Sequence, residues 1–161
     1  MKTRLTTFFL TCTLGLVVSF FAPSASAQDL KPYYNVDEKG VWVDGYDPVA
    51  YLQDGKAVKG SPAFTVLYKG AKFQLSSKAH QEAFKKDPEK YLPEYGGYCA
   101  YAVGSYGEKV EVDPETFSVK DGKVLLFYNK YFNNTLKDWN KDEAKLHANA
   151  EKNWAKFKHA K

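Results

Sequence analysis

Tyr95-Gly96-Gly97-Tyr98-Cys99-Ala100 sets two adjacent glycines and a cysteine between aromatic rings. Glycine accepts backbone angles that other residues resist, so the chain can turn here where neither helix nor strand would continue. The apolar run Ala100-Tyr101-Ala102-Val103 behind it reads as a turn or two of buried helix, closed by Gly104. What flanks this segment decides the fold class.

On its N-terminal side, Phe64-Thr65-Val66-Leu67-Tyr68 and Ala71-Lys72-Phe73-Gln74-Leu75 flank Lys69-Gly70, two β-rich runs joined by a two-residue loop. On its C-terminal side, Val110-Glu111-Val112 and Thr116-Phe117-Ser118-Val119 lead into Asp121-Gly122 and then Val124-Leu125-Leu126-Phe127-Tyr128, a second hairpin. Short helices fill the gaps. Asp47-Pro48 and Asp87-Pro88 each pair an N-cap residue with proline at the first helical position, and Ser76-Ser77 opens a helix with Ala79, Ala83 and Phe84 on one side. Val41-Trp42-Val43 reads as a first short strand. Toward the C-terminus, Tyr131, Phe132, Leu136 and Trp139 are spaced for one apolar face, Asn140 with Glu143 resembles a capping box, and His147, Ala150, Trp154 and Phe157 form a buried stripe. The expectation is an α+β domain over 41–158: a small antiparallel sheet of two hairpins, packed with short helices and a C-terminal helical pair. Residues 28–40 read as a leader strapped over it.

Residues 1–27 carry Lys2 and Arg4, an apolar run from about Phe8 to Ala22, and Ala25-Ser26-Ala27. This is the pattern of a secretory signal peptide cleaved after Ala27, which places the chain in the periplasm or outside the cell. The apolar run is interrupted by Thr11, Thr13 and Ser19 and closed by Pro23, short of the roughly 20 residues a membrane span needs. Cleavage removes Cys12 and leaves about 134 residues, one domain's worth, with a net charge near +2. Nothing in that balance points to nucleic acid. The 3 Trp, 12 Tyr and 11 Phe offer large buried areas to a domain without disulfides.

Cys99 then has no partner in the mature chain. It is a buried inert residue, a ligand to a metal or small molecule, or a reactive thiol. His80 lies early on the Ser77 helix, and a thiolate with an imidazole suits copper or zinc, although two ligands leave a tetrahedral ion under-coordinated. Gly96-Gly97 has the makings of an anion nest or of a tight turn only. Tyr95 and Tyr98, with Tyr91 and Tyr101, either line a pocket for a flat ligand or form the core itself. His147 falls on the buried stripe, and His159 lies in the tail.

Gly45-Tyr46-Asp47-Pro48-Val49-Ala50-Tyr51, Phe73-x-Leu75-Ser76-Ser77, Asp87-Pro88-Glu89-x-Tyr91-x-Pro93 and Tyr95-Gly96-Gly97-Tyr98-Cys99-Ala100, in this order, resemble the secreted YHS-domain proteins. The resemblance runs from about Gly40 to Phe157. It implies kinship with a metal-associated superfamily, whose metal-binding branch carries three cysteines at positions matching Ala50, Ser76 and His80 here. Two of those three ligands are therefore replaced by residues that bind no soft metal, and the thiolate site of that branch is expected to be absent. The reading that follows is a non-enzymatic binding module. Its candidate ligand residues are Tyr95, Gly96, Gly97, Tyr98 and Cys99, and its candidate metal pair, for copper or zinc, is Cys99 and His80. The alternatives are a thiol-dependent redox protein or enzyme using Cys99, and a structural or interaction domain with a buried thiol.

Overall fold

The computed structural model describes residues 33–158; the expected signal peptide, Cys12, the first residues of the leader and His159 lie outside them. The fold is α+β, built from short helices and three separate two-stranded antiparallel sheets. Helix α1 (Pro48–Gln53) starts at Asp47, whose side chain accepts from the N–H groups of Val49 and Ala50. Pro48 loses nothing at the first position, where its missing N–H has no helical partner anyway. Strands β1 (Ser61–Tyr68) and β2 (Ala71–Leu75) pair through Lys69-Gly70, with an irregularity between Ser61 and Thr65. Ala71, Phe73 and Leu75 of β2 are buried while Lys72 and Gln74 are not, the period-two pattern of a half-covered strand.

Ser77 caps α2 (Lys78–Lys86) by accepting from the His80 N–H, and Asp87 caps α3 (Pro88–Tyr91). A 3-10 turn at Glu94–Gly97 leads to α4 (Ala100–Tyr106). Strands β3 (Asp113–Lys120) and β4 (Lys123–Phe127) form the second hairpin across Asp121-Gly122. Then come β5 (Asn129–Lys130), β6 (Asn133–Asn134), α5 (Thr135–Trp139) and α6 (Glu143–Lys158), the last two being the C-terminal helical pair.

Five local expectations are revised. Val41-Trp42-Val43 makes only isolated bridges, Val41 to Lys72 and Trp42 to Val36, before a 3-10 turn at Val43–Gly45. Val110-Glu111-Val112 lies outside β3. Gly104 does not end α4; the helix runs on to a left-handed cap at Gly107. Gly104 is there because a Cβ would stand 2.5 Å from the Leu146 carbonyl oxygen, so its absence lets α4 and α6 pack backbone to backbone. Asn140 is the C-cap of α5 and not the start of α6, and Asn134 caps α5 by accepting from the Leu136 N–H. Tyr131 and Phe132 are not on a helical face: they form the two-residue loop of a third hairpin, β5–β6.

Two aromatic clusters make the core. Trp42, Tyr51, Phe73 and Phe84 belong to one, beneath the first hairpin and α1 to α3. Tyr95, Tyr98, Phe127, Trp139 and Trp154 belong to the other, between the second hairpin and the C-terminal helices. Each fully buried ring of this size stabilises the fold by roughly 2–3 kcal/mol through lost apolar exposure. Tyr101 packs against both clusters. Cys99 lies in the first cluster and Tyr98 in the second, so the segment of sequence singled out above is the seam between them.

Candidate functional site

Two glycine carbonyls anchor the seam. The Gly96 carbonyl accepts from the Asn35 N–H and from the Trp42 indole N–H, both at 3.0 Å, and the Gly97 carbonyl accepts from the Asn35 side-chain amide at 3.1 Å. Both glycines have positive φ, and both sit under close neighbours: a Cβ on Gly96 would meet the Tyr33 carbonyl oxygen at 2.2 Å, and one on Gly97 the Trp42 Nε1 at 2.6 Å. Glycine is demanded twice over, by angle and by space.

Cys99 is the residue before α4, fully buried. Its backbone N–H donates to Val110 at 3.0 Å and its carbonyl accepts from Val103 at 3.1 Å. The sulfur does not cap the helix. It accepts from the Tyr128 N–H at 3.4 Å and lies 3.4 Å from the Thr135 hydroxyl, which itself donates to the Tyr128 carbonyl at 2.9 Å. The thiol thus joins α4, the end of β4 and the start of α5. Such contacts to sulfur are weak, and among the described residues none comes from an imidazole or carboxylate.

Of the five candidate ligand residues, three line two separate clefts, and Gly97 and Tyr98 line neither. Tyr95 and Gly96 border a cleft of about 700 Å³ with Tyr33, Lys69, Glu89 and Trp154. Cys99 backs a second cleft of about 450 Å³, around which stand Tyr101, Tyr106, Tyr128, Asn133 and Asp138. Because no part of Cys99 is exposed, it forms the floor beneath Tyr128 and Thr135 rather than an open wall. Tyr98 is buried, its hydroxyl donating to the Tyr34 carbonyl at 3.3 Å. Burial pushes the Tyr95 and Tyr98 phenols well above the ordinary tyrosine range, with the Glu151 and Glu111 carboxylates adding to the effect. Tyr106 is also raised, chiefly by its hydrogen bond to Tyr101, whose ring it meets edge-on at 5.9 Å.

His80 belongs to a different neighbourhood. Its Nδ1 lies 2.6 Å from Asp47 Oδ2 and its Nε2 3.7 Å from Asp54 Oδ2. Asp47 is fully buried and is a hub: Oδ1 accepts from the Val49 and Ala50 N–H groups at 2.8 and 3.3 Å, and Oδ2 from the Ser76 N–H at 2.7 Å and the Ser76 hydroxyl at 2.6 Å. The imidazole thus sets Nδ1 toward Asp47 and turns Nε2 outward to Asp54. Ala50, Ser76 and His80, the positions set against thiolates above, therefore all meet at Asp47. The sequence marked Asp47 as a cap. It gave no sign that one carboxylate would also hold Ser76 and His80 from 29 and 33 residues away.

Among the described residues Cys99 and His80 share no hydrogen-bond partner. Among the described residues no group of three or more His, Cys, Asp and Glu is arranged to hold a metal ion. No known protein family, curated protein sequence or solved structure matches the chain.

Proposed function

We propose that this chain is an exported, YHS-like, non-enzymatic binding module, and that a small organic ligand seats in the tyrosine cleft above Cys99. The observation that carries this reading is the cleft itself. The rings of Tyr101, Tyr106 and Tyr128 stand around about 450 Å³, with Asn133, Thr135 and the carboxylates of Glu108 and Asp138 among its lining. Aromatic faces with a few polar groups are what binding sites for small, flat, partly polar molecules are made of. Export is supported by the basic, apolar and small-residue pattern of residues 1–27, and YHS kinship by the order of the motifs and by the meeting of Ala50, Ser76 and His80.

The metal form of the hypothesis, copper or zinc on Cys99 and His80, draws less support, because a tetrahedral ion needs ligands converging on one point. A thiol enzyme draws less still, since nothing bonded to the sulfur would take its proton. The test is ligand-detected NMR of the purified protein with a set of planar aromatic and amine compounds, comparing wild type with Tyr106→Ala and Tyr128→Ala. Tyr106 is 66% exposed, so its truncation spares the fold. Bound compounds that are lost in Tyr106→Ala support the cleft. Absence of binding, or binding indifferent to both variants, overturns it, and stoichiometric zinc or Cu(I) uptake abolished by Cys99→Ser restores the metal form.

A further inference from the structure

All three hairpins close through a two-residue loop in which both residues have positive φ: Lys69-Gly70 at 45° and 84°, Asp121-Gly122 at 50° and 73°, and Tyr131-Phe132 at 52° and 64°. Such loops suit the twist of paired strands, and they favour glycine, asparagine or aspartate because a Cβ is strained at these angles. Asp121-Gly122 follows that preference at both positions and Lys69-Gly70 at its second. The third places two large aromatic residues where the backbone resists them.

These rings gain nothing visible from the fold in return. Tyr131 is 89% exposed and Phe132 is 111% exposed, more than in an open peptide, and neither belongs to either core cluster. Along the chain the nearest charges are Lys130, directly before the loop, and Lys137, five positions after it on α5, both exposed; the nearest carboxylate, Asp138, is already bound to Lys141 at 2.6 Å.

We propose that the β5–β6 tip is a lipid-interface anchor, which seats Tyr131 and Phe132 among the headgroups of an anionic bilayer while Lys130 and Lys137 meet the phosphates. The shape selects the partner. A convex two-ring knob needs either a matching socket or a yielding surface, and aromatic rings settle readily at the headgroup level, the phenol hydroxyl staying hydrated. Flanking lysines add attraction to anionic headgroups that salt weakens. Two rings and two cations give reversible attachment, not a permanent anchor. No helix among the described residues is long and apolar enough to cross a membrane. This proposal rests on the turn and its exposure and stands apart from the ligand cleft.

The test uses protein purified from an exporting host, its N-terminus checked by mass, and vesicles of phosphatidylcholine with or without phosphatidylglycerol. Wild type is expected to co-sediment with the anionic vesicles, less with the neutral ones and less at high salt. Tyr131→Asn with Phe132→Gly, which restores a preferred loop and so keeps the fold, is expected to lower the partition coefficient at least roughly tenfold. A Phe132→Trp variant should show blue-shifted, quencher-protected emission on anionic vesicles. Unchanged emission, or equal sedimentation of wild type and loop variant, overturns the proposal. So does a blue shift produced by a soluble protein fraction and not by vesicles, which would assign the tip to a protein partner.

Discussion

Asp47 and Cys99 show how differently two buried groups can be held. Asp47 is a fully buried carboxylate with five hydrogen-bond contacts, to the N–H groups of Val49, Ala50 and Ser76, the Ser76 hydroxyl and the His80 imidazole. Replacing it with alanine strands those donors in a dry interior, and Asp47→Ala is expected to cost about 3–5 kcal/mol, read as a lower urea midpoint at unchanged slope. Cys99 instead sits among weak partners. Its thiol should resist alkylation in the native protein and react on unfolding, with a rate ratio of at least about 10³ in a DTNB assay with and without urea. Rapid native reaction would show that the floor of the cleft opens. Cys99 was legible as an aromatic-flanked, unpaired thiol, but Tyr128 and Thr135 were not, because a partner 29 or 36 residues away leaves no local pattern.

At the scale of elements, the two hairpins announced by Lys69-Gly70 and Asp121-Gly122 could be read directly, since loop chemistry and β-rich flanks agree. The third could not: Tyr131-Phe132 has no turn chemistry, and its apolar rings, spaced toward Leu136 and Trp139, mimic a helical stripe. The loop variant Tyr131→Asn with Phe132→Gly should therefore raise stability, by about 1 kcal/mol, as relief of left-handed strain outweighs the added freedom of the unfolded chain. A fall in melting temperature would mean that the rings support the fold. Glycine often marks the end of a helix, but the reason for Gly104 lies in α6, which approaches from 42 positions further along the chain at Leu146. Gly104→Ala should force the two helices apart and cost about 2–3 kcal/mol, visible in thermal melts, while at the exposed Gly55, with nothing within 4 Å, a side chain should cost only the left-handed strain of its φ of 64°, about 1 kcal/mol.

The whole molecule is stabilised by buried tyrosines, and this sets an alkaline limit. Burial is the main cause that raises Tyr34 from 10.0 to about 12, and it carries Tyr51, Tyr95 and Tyr98 higher still. The folded chain thus keeps phenolic protons that the unfolded chain gives up. Their contribution is complete below pH 10 and is lost as pH climbs through the folded values. Across roughly pH 10.5 to 12 each such group should take away up to about 1.4 kcal/mol per pH unit, so unfolding followed at 222 nm should coincide with phenolate absorption. Phenolate signal from these four residues well before loss of ellipticity would contradict their burial. The α+β class was readable from the alternation of β-rich runs, caps and stripes. The division into two aromatic clusters was not, because it depends on which rings face one another across the seam.

The bonds from Asn35 and Trp42 to the Gly96-Gly97 carbonyls span 62 and 54 positions of chain. A polypeptide emerging N-terminus first from a ribosome presents Asn35 and Trp42 long before the carbonyls that will accept from them. The domain is consequently built with a time delay. Its leading end cannot be buried until the middle of the sequence arrives to receive it.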